Sequence, residues 1–267
     1  MKALTLGPEG TYSHRATQAV ADDIDFVESV TGIVEGVAGG EYERGVIPIE
    51  NSIEGSVTES LDALADRNVA IVREIVTPIQ HALLAQAGEF DIIASHPQAL
   101  AQCREYLTQE YPSAKTEAVA STARGVERAR EDSSVAAIGH PATAGDDLQV
   151  LARDIQDSTS NATRFVVLAP ETERVDAGGK SSVIVYPNTN HPGLLLEMLE
   201  PFADRDINLS RVESRPSGER LGDYMFHFDF AAGLYEERAQ EAVEELRDIA
   251  ENGWVRVLGS YDTEHVL

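Results

Sequence analysis

The sequence has 267 residues, 42% hydrophobic and 25% charged, which is enough for one large domain or two ordinary ones with apolar cores. Its 46 acidic residues outnumber the 21 Lys and Arg residues and give a formal net charge of −25. This charge argues against binding to nucleic acid or to an anionic membrane, because both need a cationic surface. The single cysteine, Cys103, allows no internal disulfide and no cysteine-based metal site.

The basic residues comprise 18 Arg and only 3 Lys. We interpret the acidity and the scarcity of lysine as a halophilic composition, because carboxylates barely repel one another at molar salt. An ordinary acidic protein is the alternative. No apolar stretch approaches the length of a membrane span, and residues 1–7 contain no signal region. We therefore expect a cytoplasmic protein.

The first two-thirds of the chain alternate short apolar runs with helical patterns. This alternation predicts an α/β domain with a largely parallel sheet and a ligand site beyond the carboxyl ends of the strands. The predicted strands cover residues 3–6, 45–49, 69–76, 91–94 and 135–138, and predicted helices cover 97–111 and 121–132.

A polar stretch around residues 178–180 precedes a second unit. Its predicted order of strand, helix, strand, strand, helix, strand is that of a ferredoxin-like α+β domain, with two helices on one face of an antiparallel sheet. The other face would be bare, which suggests pairing with a second copy. The strands are predicted at 182–186, 207–212, 224–230 and 254–258, and the helices at 192–203 and 239–249.

Two polar segments near the N-terminus follow predicted strands. Residues 7–14 form a glycine-containing turn that enters a helix and could face a carboxylate, although a simple capped turn is an equal alternative. In residues 48–55, Asn51 and Ser52 are uncharged donors suited to a carboxylate or a hydroxyl. Glu50 and Glu54 beside them are interpreted as solvated carboxylates.

A third polar segment covers residues 95–103. Ser95 ends a predicted strand, and Gln98 and Gln102 are four residues apart, so they share one helical face. His96 could act as a general base, but a capping role is the favoured interpretation.

A fourth segment places the Thr163 hydroxyl beside the Arg164 guanidinium at the start of a strand. Arginine binds carboxylates through two parallel hydrogen bonds, so Arg164 is a candidate for an anionic substrate, with a surface ion pair as the alternative. The seven histidines lack metal-ligand spacing, and we expect no metal site.

Taken in order, these segments resemble the prephenate dehydratase family over nearly the whole chain, and the second unit resembles the ACT regulatory domain joined to that enzyme. The matching motifs are Gly7-Pro8-x-Gly10-Thr11-Tyr12-Ser13-His14, Pro48-Ile49-Glu50-Asn51-Ser52, Ser95-His96-Pro97-Gln98-Ala99-Leu100-Ala101-Gln102-Cys103, Ser121-Thr122-Ala123, Thr163-Arg164-Phe165, Pro192-Gly193-Leu194-Leu195 and Glu213-Ser214-Arg215-Pro216.

The resemblance implies a two-lobed catalytic domain similar to periplasmic binding proteins over residues 1–176, followed by an ACT domain over 180–267. The lobes would cover about 1–76 plus 156–175, and 77–155. Thr163 is the expected catalytic residue. The expected substrate contacts are Thr11, Asn51, Ser52, Ser95, Gln102, Ser121, Thr122 and Arg164, and the expected effector contacts are Gly193, Leu194, Leu195, Glu213, Ser214, Arg215 and Pro216.

The implied reaction is the loss of CO2 and hydroxide from prephenate to give phenylpyruvate, with no cofactor. Phenylalanine would inhibit by binding between paired ACT domains of a homodimer or homotetramer. Leu194 stands where the family usually has alanine, and this larger side chain could narrow the effector pocket. Arg124 and Gly125 replace the alanines that usually follow the Ser121-Thr122-Ala123 motif. Arogenate as substrate and a non-catalytic amino-acid sensor are the alternatives.

Overall fold

The computed structural model describes residues 1–52, 55–158, 161–218, 220–250 and 252–266, and its helices and strands begin close to the predicted positions. None of the described helices is long and apolar enough to cross a membrane. Through residue 170 the elements are β1 (Lys2–Leu6), α1 (Tyr12–Gln18), β2 (Asp23–Val27), α2 (Val30–Ala38), β3 (Arg44–Asn51), β4 (Gly55–Ser56), α3 (Thr58–Asp66), β5 (Val69–Pro78), β6 (Ala82–Ala85), β7 (Ile92–Ser95), α4 (Pro97–Gln102), α5 (Arg104–Glu110), β8 (Lys115–Ala118), α6 (Thr122–Glu131), β9 (Val135–Gly139), β10 (Gln149–Arg153) and β11 (Ala162–Pro170).

The C-terminal part of the chain supplies a third group of elements. They are β12 (Lys180–Tyr186), α7 (Leu194–Ala203), β13 (Leu209–Pro216), β14 (Tyr224–Phe230), α8 (Glu237–Ile249), β15 (Trp254–Tyr261) and β16 (Thr263–His265).

The first sheet defines lobe 1, with the strand order β16-β5-β11-β3-β1-β2 and β4 paired with β3. Strands β1, β2 and β3 are parallel, as the alternating pattern predicts. However, β11 runs antiparallel to both β3 and β5, so the sheet is mixed, although β5 and β16 run in the same direction as β1, β2 and β3. The reason is that β11 returns from the other lobe and fills the gap between β3 and β5.

The second sheet defines lobe 2, with the order β10-β6-β9-β7-β8. It is also mixed, since β7 is parallel to β8 and β9 whereas β6 is antiparallel to β9 and β10. The helix predicted over 97–111 is two helices, because the backbone at Cys103 leaves the helical region. The Cys103 thiol is buried in the core of lobe 2, which raises its pKa to about 12 and makes it unreactive at neutral pH.

The C-terminal sheet has the order β13-β14-β12-β15, and all of its neighbouring strands are antiparallel. With α7 and α8 between the strands, this is the predicted ferredoxin-like arrangement. The alternating pattern of β14 sends Phe226, Phe228 and Phe230 into the core beneath the two helices, where Met198 and Leu246 meet them.

The opposite face of the C-terminal sheet packs against lobe 1, so the expectation of a bare face is wrong. Ile184, Leu258 and Tyr261 join the same apolar cluster as Leu64 and Ile71 of lobe 1. Strand β16 then pairs in parallel with β5 of the lobe 1 sheet. The sequence shows which face of a strand is polar, but it does not show that another part of the chain covers that face.

Candidate functional site

A cleft of about 390 Å³ lies between the two lobes. As expected for an α/β fold, it opens beyond the carboxyl ends of β1, β3, β7 and β8. The side chains that line the cleft are mostly uncharged hydrogen-bond donors and acceptors, together with several apolar side chains. They are Leu6, Gly7, Thr11, Tyr12, Ser13, Pro48, Asn51, Ile79, His81, His96, Gln98, Ala99, Gln102, Ala120, Ser121, Thr122, Thr163 and Phe165.

Thr163 and Asn51 form the polar pair on the lobe 1 side of the cleft. They lie directly opposite each other on β11 and β3, and Asn51 Nδ2 donates a 3.0 Å hydrogen bond to Thr163 Oγ1. Opposed residues of antiparallel strands point to the same face, so the register brings the amide and the hydroxyl together. Ser52 lies outside the cleft lining, where its Oγ accepts a 2.9 Å hydrogen bond from the Ala162 N–H at the start of β11.

Gln102 organises the lobe 2 side of the cleft. Its Oε1 accepts hydrogen bonds from His81 Nε2 at 2.7 Å and from Asn161 Nδ2 at 2.9 Å. An amide oxygen only accepts, so this contact fixes the His81 proton on Nε2. Burial lowers the pKa of His81 despite the contact with Gln102, and the ring is neutral at pH 7.

The sequence analysis gave no role to His81 or to Asn161, although Asn161 begins the fourth polar segment. The only local signal for His81 is the short polar stretch Gln80-His81 between the apolar residues of β5 and β6. His81 Nδ1 is buried without a hydrogen-bond partner among the described residues. The His81 ring therefore presents an acceptor that a bound hydroxyl could satisfy.

The first turns of three helices also meet at the cleft. The side chains of Thr11, His96 and Ser121 cap α1, α4 and α6 by accepting hydrogen bonds from the N–H groups of His14, Gln98 and Arg124. His96 thus has the capping role favoured from the sequence, and Thr122 lies beside Ser121 in the lining. Helix N-termini carry partial positive charge, so three of them make the cleft favourable for an anion without a side-chain cation.

Ser95 does not reach the cleft. It is the last residue of β7, is 0% exposed, and its Oγ donates a 2.7 Å hydrogen bond to the Ile138 carbonyl. The expected role in substrate contact is therefore wrong for Ser95, because its side chain joins two strands inside lobe 2.

Arg164 points away from the cleft, so the expected contact with a substrate carboxylate is wrong. Successive strand residues face opposite sides of a sheet, and Thr163 takes the cleft side. The Arg164 guanidinium bonds to the carboxylates of Glu50, Glu74 and Asp229. Glu50 is consequently an ion-pair partner, and Glu54 lies outside the described residues.

The described cleft lining contains no Arg, Lys, Asp or Glu. In the same described ranges, no group of three or more His, Cys, Asp or Glu side chains is arranged to hold a metal ion. An anionic ligand in this cleft would depend on hydroxyls, amides and backbone N–H groups.

A second groove, of about 320 Å³, lies at the start of α7 in the C-terminal domain. Gly193, Leu194, Leu195 and Ser214 line it, together with Tyr224 and Phe226. Gly193 has a φ of 96°, a conformation that favours glycine over any other residue. Leu194 both lines the groove and packs into the core of this domain.

Three of the expected effector contacts lie elsewhere. Because β13 alternates, Glu213 and Arg215 flank Ser214 but face lobe 1. Ser56 Oγ donates a 3.0 Å hydrogen bond to Glu213 Oε2, and Arg215 donates two bonds, of 3.1 and 3.0 Å, to Asp62. These two side chains therefore do not line the groove of this chain, and Pro216 also lies outside the groove lining, so the three effector contacts remain predictions.

The protein has two α/β lobes around an uncharged cleft and a ferredoxin-like domain with a groove of its own. This combination defines a class of two-lobed catalytic proteins with an appended ligand-binding domain. The chain matches two family models, Prephenate dehydratase over residues 3–173 and ACT domain over residues 188–251. It therefore belongs to the prephenate dehydratase family and carries an ACT domain.

Individual relatives agree with this assignment. A prephenate dehydratase of Lactococcus lactis is 36% identical over 98% of this chain and 97% of its own length. A protein of Arabidopsis thaliana named arogenate dehydratase/prephenate dehydratase 2 is 35% identical over 98% of this chain and 72% of its own length. The crystal structure of prephenate dehydratase from Arthrobacter aurescens in complex with L-Phe has a TM-score of 0.89 and 35% identity, covering 98% of this chain and 90% of that one.

Proposed function

We propose that the cleft converts prephenate to phenylpyruvate in phenylalanine biosynthesis. In this reaction the bond between the ring and its carboxylate breaks, and its electron pair enters the ring. The bond between the ring and its hydroxyl breaks on the other side of the ring, and the departing hydroxide takes a proton to become water. The observation that carries the proposal is the Asn51–Thr163 pair inside a cleft of neutral donors.

Thr163 is assigned to the departing hydroxyl. Its Oγ1 accepts from Asn51, so its hydroxyl hydrogen can be directed at the substrate. A threonine does not ionise at neutral pH, but a fixed donor strengthens its hydrogen bond as negative charge grows on the leaving oxygen. Asn51 and Gln102 orient the substrate, and Thr11, Ser121 and Thr122 supply further contacts.

The absence of charge from the described lining suits a decarboxylation. An arginine on the ring carboxylate would stabilise the ground state of the group that leaves as neutral CO2, and so raise the barrier. Hydroxyls and helix N-termini hold an anion less tightly. Closure of the lobes would exclude water and hold the reactive conformer.

The decisive experiment is an assay of phenylpyruvate formation by the purified full chain, with Thr163→Val as the test variant. Valine keeps the shape and loses the hydroxyl, and removing one such donor typically lowers kcat by about 10²–10³-fold. Thr77→Val is the matched control, because Thr77 is buried opposite Thr163 on β5 but lies outside the cleft lining. Turnover of Thr77→Val should stay close to wild type.

Full turnover by a folded Thr163→Val variant would overturn the assigned role. A wild-type protein that binds prephenate without forming product would instead indicate a sensor. Running the same assay with arogenate, whose side chain carries an ammonium group in place of the keto group, decides between the two substrates.

The ACT domain, residues 180–267, is proposed to bind phenylalanine and to feed back on the catalytic lobes, residues 1–176. The groove at Gly193 and Ser214 supports this, and it adjoins exposed apolar side chains of Leu195, Leu196 and Tyr224 beside the edge strand β13. We expect β13 edges of two copies to pair in a homodimer or homotetramer. Calorimetry with phenylalanine and the mass of the particle in solution test the two statements.

The setting proposed for this enzyme is the cytoplasm of a salt-rich cell. The support is the net charge of −25 together with 18 Arg against 3 Lys.

A further inference from the structure

A balanced group of charges lies between lobe 1 and the ACT domain, and we name it the Arg164 cluster. It consists of Arg164, Lys180 and Arg211 with Glu50, Glu74 and Asp229. The side chains of Glu74 and Asp229 are only 3% and 2% exposed, and that of Arg164 is 13% exposed. The catalytic roles proposed above use none of these charges.

Arg164 is held from three directions. Its Nε donates to Glu74 on β5 at 2.5 Å, its Nη1 to Glu50 on β3 at 2.9 Å, and its Nη2 to Asp229 on β14 of the ACT domain. A planar guanidinium with a separate carboxylate on each edge has little freedom to rotate or translate.

The carboxylates around Arg164 are further fixed by their other partners. Glu74 also accepts from Lys180 at 2.8 Å and from Thr263 at 2.8 Å, while Asp229 accepts from Ser182 at 2.5 Å and from Arg211 at 3.0 Å. Burial alone would raise the pKa of Asp229, but Arg211 and Arg164 hold it well below its ordinary range, so the carboxylate is ionised.

The Arg164 cluster lies directly behind the catalytic pair. Strands β11 and β3 place Thr163 opposite Asn51 and, one residue further, Arg164 opposite Glu50. The first pair faces the cleft and the second faces the ACT sheet. Any movement of Arg164 along or across its strand therefore shifts Thr163, since the two residues share a peptide bond.

Buried ion groups add little net stability compared with apolar packing, whereas their directional contacts define geometry. We propose that Arg164 and Asp229 are positioning residues, through which the ACT sheet holds the Thr163 hydroxyl at the angle needed for turnover. The inference deepens the proposed function and rests on it, because it assigns a residue of the regulatory domain to basal catalysis.

The test compares Arg164→Met and Asp229→Asn with Arg205→Met in the full chain. Arg205 is the matched control, since it is another partly buried arginine of the ACT domain, 23% exposed, but it pairs with Glu241 and Glu245 of α8 and is not a member of the Arg164 cluster. We expect Arg164→Met and Asp229→Asn to lower kcat about 10–100-fold, less than loss of the Thr163 donor itself, with KM nearly unchanged. Arg205→Met should keep kcat near wild type.

The double variant adds a second readout. If Arg164 and Asp229 act through one link, the Arg164→Met/Asp229→Asn protein should lose no more kcat than the worse single variant, whereas independent effects would multiply. Near-ultraviolet circular dichroism and thermal melting establish the folded fraction to which each rate is normalised. Where Asp229→Asn does not fold, Ser182→Ala loosens Asp229 more mildly, and a several-fold loss of kcat is expected.

Three results would overturn the inference. Parallel losses in all three single variants after normalisation would indicate a structural role only. A raised KM with unchanged kcat would make Arg164 a substrate contact, and wild-type rates in Arg164→Met would remove any role. Each of these differs from failure of the proposed function, in which the wild-type protein itself forms no phenylpyruvate.

Discussion

Gln102 shows how single side chains keep the cleft uncharged. Its amide oxygen accepts two hydrogen bonds at once, from a neutral His81 and from Asn161. The described lining has no Arg or Lys that could pair with an added carboxylate there. The affinity for a dianion is therefore sensitive to a single negative charge at this position.

Gln102→Glu should raise KM for prephenate far more than it lowers kcat. Two unit charges about 5 Å apart repel by roughly 3 kcal/mol at an effective dielectric constant near 20, so KM should rise on the order of 100-fold. Steady-state kinetics measure this, and Gln86→Glu is the control because it adds the same charge on the outside of lobe 2. Equal KM values for the two variants would contradict the electrostatic explanation.

At this scale the sequence, through its resemblance to the family, pointed to Asn51, Gln102, Ser121 and Thr163, and all four line the cleft. It failed for Arg164. Strand alternation shows that Arg164 and Thr163 face opposite sides of the sheet. It does not show which groups pair with Arg164, because the three carboxylates come from three distant strands.

Strand β13 connects two surfaces by its alternation. Ser214 lines the ACT groove, while Glu213 and Arg215 on either side of it reach Ser56 of β4 and Asp62 of α3. Strand β4 in turn pairs with β3 at Glu50 and Asn51. A ligand in the groove that shifts β13 would thus disturb the strand that carries Asn51.

Removing the hydrogen bonds that join Glu213 and Arg215 to lobe 1 should weaken inhibition by phenylalanine without weakening its binding. Each hydrogen bond of this kind contributes about 1 kcal/mol, so Ser56→Ala/Asp62→Asn should raise the phenylalanine concentration for half-inhibition roughly 5–30-fold. Calorimetry should give a nearly unchanged Kd for phenylalanine. Glu35→Gln, which removes the Arg67 ion pair elsewhere on lobe 1, is the control. Superimposable inhibition curves for both variants would exclude this route.

Among the elements, the strongly patterned ones were predicted well. Strand β14 and helix α8 follow their periodicity closely, because each has one clearly apolar face. The break at Cys103 was missed, since the buried side chains continue in helical spacing across it. Strands β8 and β10 were also missed, because both are short, β8 is largely polar and β10 has a polar residue at each end.

The whole molecule carries its negative charge over all three units, with many acidic side chains already paired with arginine. The sequence predicted the order of the units, since each has its own periodic pattern. It could not predict how the ACT domain docks on lobe 1, because docking depends on complementary polar groups that are far apart in the chain.

Salt should stabilise the folded chain. The Debye length falls from about 10 Å at 0.1 M to about 3 Å at 1 M, which screens the repulsion among the unpaired carboxylates. We expect the melting temperature to rise by several degrees between low and molar KCl, measured by differential scanning fluorimetry. An uncharged osmolyte at the same osmolality serves as the control, and a flat response to KCl would contradict a halophilic adaptation.

The return of β16 to the edge of β5 restricts how the ACT domain can move. The domain is tethered to lobe 1 at both of its own ends, by the segment before β12 and by β16. Wholesale detachment would require breaking a strand pairing and exposing the shared apolar cluster. We therefore expect inhibition to operate by a small rotation of the ACT sheet on the lobe 1 sheet, which the three ion pairs of Arg164 would transmit to Thr163 in the cleft.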